Sequence, residues 1–177
     1  MCLARSAHLH SRQHSLYLQS GSSLIEVLVS LLILSGGLLG MAGVQSVSLR
    51  NNQAAYYRTM ATNFTADMVE RMRANKTGVD LNAYDNVAGG ATAACFTTAG
   101  CTSAQMAAQD VLSWTNQVTA ALPGAVAVVC LDSSGNDGTF DAVACDGLGA
   151  TYAVKIFWDD NRDGTAESPY VTAWQPL

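Results

Sequence analysis

Charge is the scarcest thing in this sequence: only 13% of its 177 residues are Asp, Glu, Lys or Arg, about half the usual ~25%. So low a value excludes a disordered chain and does not suit an ordinary cytosolic enzyme. Aromatic residues make up 7% and there are three prolines. Histidine is missing beyond His14, the three present being His8, His10 and His14. The rest of the chain therefore has no Ser/His/Asp or Cys/His constellation. With no CxxC pair either, a zinc site is excluded. Bases nearly vanish after Lys76, where only Lys155 and Arg162 face eleven acids. That excludes a nucleic-acid-binding face, which requires clustered cations. What is present is apolar: 49% of the residues are hydrophobic. Five cysteines (Cys2, Cys95, Cys101, Cys130, Cys145) are many for a reducing compartment. The composition is that of a membrane-associated or exported protein.

The few charges are ordered. Residues 1–21 carry Arg5 and Arg12 and no acid; residues 22–76 sum to +2; residues 77–177 sum to −9. Basic residues before an apolar run place the N-terminus in the cytoplasm under the positive-inside rule, with the acidic remainder outside. That run, Leu24 to Val47, predicts a helix of about 36 Å, enough to cross a bilayer. Its one charge is Glu26, and an ionisable group in lipid either sits at the interface or finds a partner. Gly36, Gly37, Gly40 and Gly43 interrupt the run. They make either a close-packing face for another helix or a point where the helix can stretch or melt. A secretory signal cleaved near Gly40-Met41-Ala42 is the competing reading. Against it stand the long leader, Glu26 and the helical pattern that continues past the cut.

From Gln45 to Asn75 there is no Pro and, after the cluster, no Gly. Tyr57, Met60, Ala61, Phe64, Met68 and Met72 fall on one apolar stripe. Asp67 and Arg71 form an (i, i+4) pair, Arg71, Arg73 and Lys76 cluster where cations suit a helix C-terminus, and Gly78 offers the stop. Span and stripe together predict one helix of about 50 residues, roughly 80 Å long. Residues 79–101 read as loop. A capping box at Thr102-Ser103-Ala104-Gln105 opens a helix to about Leu122, ended by Pro123-Gly124. Strands follow at Ala125–Leu131, at Thr151–Trp158 with Tyr152, Val154, Ile156 and Trp158 on one face, and at Tyr170–Trp174. The fold class is α+β, a long helix with a small antiparallel sheet able to cover its stripe.

Four cysteines remain beyond the leader and permit three pairings. The two local ones, Cys95 with Cys101 and Cys130 with Cys145, are favoured because each flanks a short loop. Asp159, Asn161 and Asp163 match the first half of a D-x-N-x-D-G calcium loop. The twelfth position, however, is Tyr170 rather than a bidentate Glu, so a solvated turn is the alternative. Asp159 and Asp160 are paired carboxylates with nothing to mark either as catalytic.

The junction Gly21-Ser22-Ser23-Leu24-Ile25-Glu26-Val27 behind a basic leader resembles the type IV prepilin signal, typically G-F-T-L-I-E-V. The segments GLLGMAGVQ (37–45), SLRNNQAAYYR (48–58) and DMVERMRAN (67–75) are similar to the PilV family, minor pilins called type IV pilus modification proteins. AQMAAQD (104–110), ALPGA (121–125) and WDDNRDG (158–164) are similar in kind. The resemblance covers nearly all of the chain beyond residue 21. It implies the type IV pilin fold, cleavage by prepilin peptidase between Gly21 and Ser22, and N-methylation of Ser22. Glu26 would pair with a neighbouring subunit's N-terminal amine. Ser22 departs from the usual Phe or Met.

The family's partners would be other minor pilins and the major pilin, prepilin peptidase, the pilus assembly platform and inner-membrane lipid, with no nucleic acid. It implies neither cofactor nor catalysis. The domains would be a leader (1–21), a membrane half (22–47) and an amphipathic half (48–76) of one helix, and a periplasmic head (77–177). Function would lie in a priming or tip complex. The alternatives are a pseudopilin of type II secretion and a membrane-anchored, calcium-dependent binding module.

Overall fold

The computed structural model describes residues 21, 23–164 and 168–174. The chain divides between Ser46 and Val47 into two units, each taken by itself, with helix α1 (Leu24–Ala74) running through both. In the first unit α1 is helical through Gly36, Gly37, Gly40 and Gly43, so the cluster does not break it. The residues that precede Tyr57 on α1 are exposed, except half-buried Ala54.

The second unit begins with the remainder of α1, where Tyr57, Ala61, Thr65, Met68 and Met72 are buried and Met60 and Phe64 half-buried. The expected stripe is therefore the buried one, with Thr65 added. Thr65 is accommodated because its hydroxyl donates to the Ala61 carbonyl one turn back, at 2.8 Å.

Helix α2 (Lys76–Asp80) follows at once, then a 3-10 turn at Ala93–Phe96 and helix α3 (Ser103–Ala121). Two expectations need correction here. Gly78 is not the stop of α1. Asn75 breaks the helix and caps α2, and Gly78 lies inside α2, where a Cβ would meet the Asn75 amide at 2.5 Å. The segment 79–101 is not all loop, since it carries the end of α2 and the 3-10 turn. Its Gly89 passes so close to α3 that a Cβ would strike the Leu112 backbone at 2.6 Å. The capping box at the start of α3 forms as the sequence requires: the Thr102 hydroxyl accepts from the Gln105 N–H and the Gln105 side chain accepts from the Thr102 N–H.

Strands β1 (Val126–Leu131), β2 (Tyr152–Trp158) and β3 (Ser168–Trp174) form one antiparallel sheet in the order β1-β2-β3. Register pairs Ala127 with Ile156, Val129 with Val154 and Leu131 with Tyr152, so these six share a face. They join the α1 stripe, Ala107, Val111, Trp114 and Val118 of α3, and Tyr84, Val79 and Leu122 in one core. Trp114 is wholly buried, and its indole N–H donates to the Phe64 carbonyl of α1 at 2.9 Å, which removes the penalty of burying that donor.

Every residue of β2 is buried, including Ala153, Lys155 and Phe157 on the face opposite the core. The one-sided alternation expected for β2 is thus only half the pattern. The loop after β1 covers the second face. The outer edge of β1 is also occupied: Asn86 N–H donates to the Val129 carbonyl at 2.9 Å, and Leu131 N–H donates to Asp85 Oδ1 at 2.8 Å. An edge strand so engaged has few free groups to template aggregation.

Candidate assembly surface

Leu24, Ile25, Leu28, Leu32, Ile33 and Leu39 of α1 are more than half exposed, and so are most apolar residues of its N-terminal half. Among the described residues this is the one helix long and apolar enough to cross a membrane, and none of its most apolar window is buried. So long an apolar surface must be covered by lipid or by other helices. Glu26 sits in the first turn, where unsatisfied N–H groups favour an acid. With Val27, Ser30, Leu31 and Leu34 it lines a shallow concavity of about 300 Å³. Its own N–H donates to the Ser23 carbonyl, and the Ser30 hydroxyl donates to the Glu26 carbonyl at 2.8 Å. No described cation pairs with its carboxylate. Gly36, Gly37, Gly40 and Gly43 face open space: a Cβ at any of them would meet nothing within 4 Å. Nothing among the described residues therefore requires glycine there. Gly21 is exposed just ahead of α1, and Ser22 lies outside the described residues.

The remaining candidate residues lie in the second unit. Cys95 is bonded to Cys101 across the 3-10 turn, and Cys130 to Cys145. Cys130 is the register partner of Ala153, so it stands on the sheet's second face and ties the loop over that face. Asp159, Asn161 and Asp163 do come together, but as a self-bonded turn. Asp159 is buried; its two carboxylate oxygens accept from the N–H groups of Asp163 and Gly164. Asn161 both accepts from the Asp163 N–H and donates to the Asp163 carboxylate. Among the described residues no group of His, Cys, Asp and Glu is arranged to hold a metal ion.

Residues 43–112 match the family model of type IV pilin Tt1218. The matched segment is less than half of the chain. It begins inside the exposed apolar part of α1 and ends within α3. No curated protein and no solved structure matches the chain. The match supports a type IV pilin-like protein and a pilin role in general. With the long apolar N-terminal helix, the small antiparallel sheet and the two disulfides, the architecture is the type IV pilin fold. It suits a membrane-anchored pilus protein, and the family is structural rather than enzymatic.

Two buried polar clusters of this pilin-like head were missed by the sequence reading. The first closes the junction after α1. The Asn75 amide accepts from the Gly78 N–H and donates to the Tyr84 hydroxyl and to the Ser103 carbonyl at 2.8 Å. Tyr84 in turn donates to Asp110 at 2.7 Å, and Arg71 reaches both Asp67 and Asp110. Burial, and then the bond to Asp110, push the Tyr84 hydroxyl well above the usual phenol range. The second cluster is built on Lys155 in the middle of β2. Its ammonium contacts the Asp132 carboxylate and donates to Asp137 and to the carbonyls of Val143 and Ala144. The only signal for it in the sequence was a lone cation in a strand of a domain with few bases.

Proposed function

We propose that this chain is a minor pilin of the PilV kind, working in the priming or tip complex of a type IV pilus. Prepilin peptidase would cut between Gly21 and Ser22, leaving Ser22 as a methylated N-terminus. The helix from Leu24 to Val47 would hold the chain in the inner membrane with the head in the periplasm. On assembly with other minor pilins and the major pilin at the platform, the same helix would enter the filament core. The observation that carries this reading is Glu26. It is a single carboxylate without a cationic partner among the described residues, on an otherwise apolar exposed helix that continues into the pilin-matching segment. Burying it in lipid or protein is unfavourable unless a charge of opposite sign meets it. A neighbour's N-terminal amine would supply that charge and set the axial register between helices. The glycine cluster would let helices approach closely.

The test is Glu26→Ala in the full chain. The variant should insert and be processed as the wild type is, yet lose co-purification with other minor pilins. Undiminished co-purification would remove the charge-pair mechanism. Intact-mass analysis of membrane-extracted protein should show loss of residues 1–21 plus one methyl group. A cut near Ala42 would indicate ordinary secretion. Capture of type II secretion components in place of pilus components would make the chain a pseudopilin.

A further inference from the structure

The second unit carries opposite charge on its two sides. Of the seven Lys and Arg among the described residues, four are paired with acids: Arg71 with Asp67 and Asp110, Arg73 with Glu70, Lys76 with Asp80, and Lys155 with Asp132 and Asp137. The other three, Arg50, Arg58 and Arg162, are exposed and meet no described carboxylate. All three line one groove of about 590 Å³. Asp160 lies in the same lining and offsets one guanidinium, so the groove keeps a net positive charge.

Two elements of the second unit build the groove. On α1, Arg50, Ala54 and Arg58 recur every four residues and form one stripe. The turn after β2 brings Arg162 to it, where the guanidinium donates to the hydroxyl of buried Tyr57 at 2.7 Å. Arg162 is thereby tied to α1 itself.

The sheet's other face has the opposite sign. Residues 132–146 contain Asp132, Asp137, Asp141 and Asp146 and no base. Asp132 is turned inward onto Lys155, whereas Asp137, Asp141 and Asp146 are exposed. Asp146 is held in place by the N–H groups of Ser133 at 3.1 Å and Leu148 at 2.8 Å, bonds that favour its charged form. No described cation meets Asp141 or Asp146. The loop is fastened over Lys155 and by the Cys130–Cys145 bond to the face of the sheet that bears Ala153 and Lys155. The buried stripe of α1 joins the core on the opposite face, with Val154 and Ile156.

A cationic groove and an acidic loop set on opposite faces of one sheet do not meet within the molecule, but each can be met by a neighbour. Such a contact is heterologous: it leaves a free groove at one end and a free loop at the other, so it repeats. We infer that the groove receives the acidic loop 132–146 of a second copy of this chain, with Asp141 and Asp146 facing Arg50, Arg58 and Arg162. Guanidinium and carboxylate groups form charge-assisted hydrogen bonds in pairs. Complementarity of this kind speeds encounter and fixes register more than it adds affinity, which suits subunits added one at a time. The inference stands on the second unit alone and does not depend on how the apolar half of α1 is covered.

The test is sedimentation velocity of the full chain in detergent micelles. Wild type should form a concentration-dependent ladder of dimers and larger species at low salt, weakened roughly tenfold at ~0.5 M NaCl. Arg50→Gln/Arg58→Gln changes an exposed helix face, and Asp141→Asn/Asp146→Asn keeps an acceptor for the Ser133 and Leu148 N–H groups. Each variant should lose the ladder at unchanged near-UV circular dichroism. Mixed in equal amounts, the two should recover dimers and nothing larger, because each pair then has one intact groove and one intact loop. Glu26→Ala should keep the ladder, which separates this contact from the helix pairing proposed above. A wild type that stays monomeric at low salt would overturn the inference. So would a ladder unchanged in both variants, which would assign association to the apolar helix. Loss in the groove variant alone would overturn it as well, giving the groove to a different anion, and so would a mixture that stays monomeric.

Discussion

Replacing Lys155 by Met should destabilise the head more than any other single change of a charged residue. Lys155 is 0% exposed and stands in β2 between Val154 and Ile156. Its ammonium donates to Asp137 Oδ1 at 2.9 Å and to the carbonyls of Asp137, Val143 and Ala144 at 3.2, 3.0 and 2.9 Å. It also contacts the carboxylate of Asp132, which is itself buried. Burial alone would raise the Asp132 pKa, but hydrogen bonds from Lys155 and Ser134 and from the Gly135 N–H outweigh it and pull it down to about 2. Burial would likewise lower the Lys155 pKa, but Asp132 and then Asp137 hold it above the ordinary lysine value. Methionine fills a similar volume yet leaves the Asp132 charge inside without its cation. Breaking a buried pair in this way costs about 3–5 kcal/mol, a large share of the roughly 5–15 kcal/mol of a whole domain. The Asp137 side chain is half exposed and can rehydrate, so the penalty belongs to Asp132.

The assay is guanidinium unfolding of the full chain in detergent with disulfides intact, followed by the fluorescence of buried Trp114 and Trp158. Lys155→Met should lower the unfolding free energy by about 3–5 kcal/mol at unchanged m-value. Lys155→Met/Asp132→Asn should recover more than half of that loss, because the stranded charge is gone. A single-variant loss under about 1 kcal/mol, the range of exposed pairs, would refute the reasoning. A double variant no better than the single would do so too.

Other expectations follow from the same geometry. Because the Asp132 pKa is lowered by folding, its contribution is present above the ordinary carboxylate value of 3.8 and fades as pH falls toward about 2. Wild type should therefore lose stability below pH ~4 more steeply than Asp132→Asn, as read by acid titration of near-UV circular dichroism. Replacing Cys130 and Cys145 by Ser should cost about 3 kcal/mol, and replacing Cys95 and Cys101 about 2, since the loop closed is longer in the first case. Equal losses would argue against a chain-entropy origin. Asn75→Ala should cost about 1–3 kcal/mol through the stranded Gly78 N–H and Ser103 carbonyl. Gly78→Ala should be destabilising alone but nearly harmless in the Asn75→Ala background, since the atom its Cβ strikes is then gone. Additivity in that double-mutant cycle would contradict the contact.

Much of the fold could be read from the sequence because its signals are local and periodic. The long apolar half of α1 is legible from its composition alone, and the buried stripe from Tyr57 to Met72 from 3.6-residue spacing. The start of α3 at Thr102 follows from four residues that satisfy each other's N–H groups. The single carboxylate Glu26 is conspicuous for the same reason, since composition leaves it nothing of its own kind nearby. Tertiary structure decided what depends on residues far apart in the chain. Asn75 ends α1 because Tyr84 and Ser103 meet its amide, and Gly78 is glycine because that amide is already there. Lys155 can lie inside β2 only because the loop closed by Cys130 and Cys145 folds two carboxylates and three carbonyls around it. Arg50, Arg58 and Arg162 read as isolated surface charges until α1 and the turn after β2 are placed side by side. Periodicity reports which face of an element avoids water. Which polar groups will meet on the other faces depends on contacts between distant segments, and one-dimensional patterns carry no record of those.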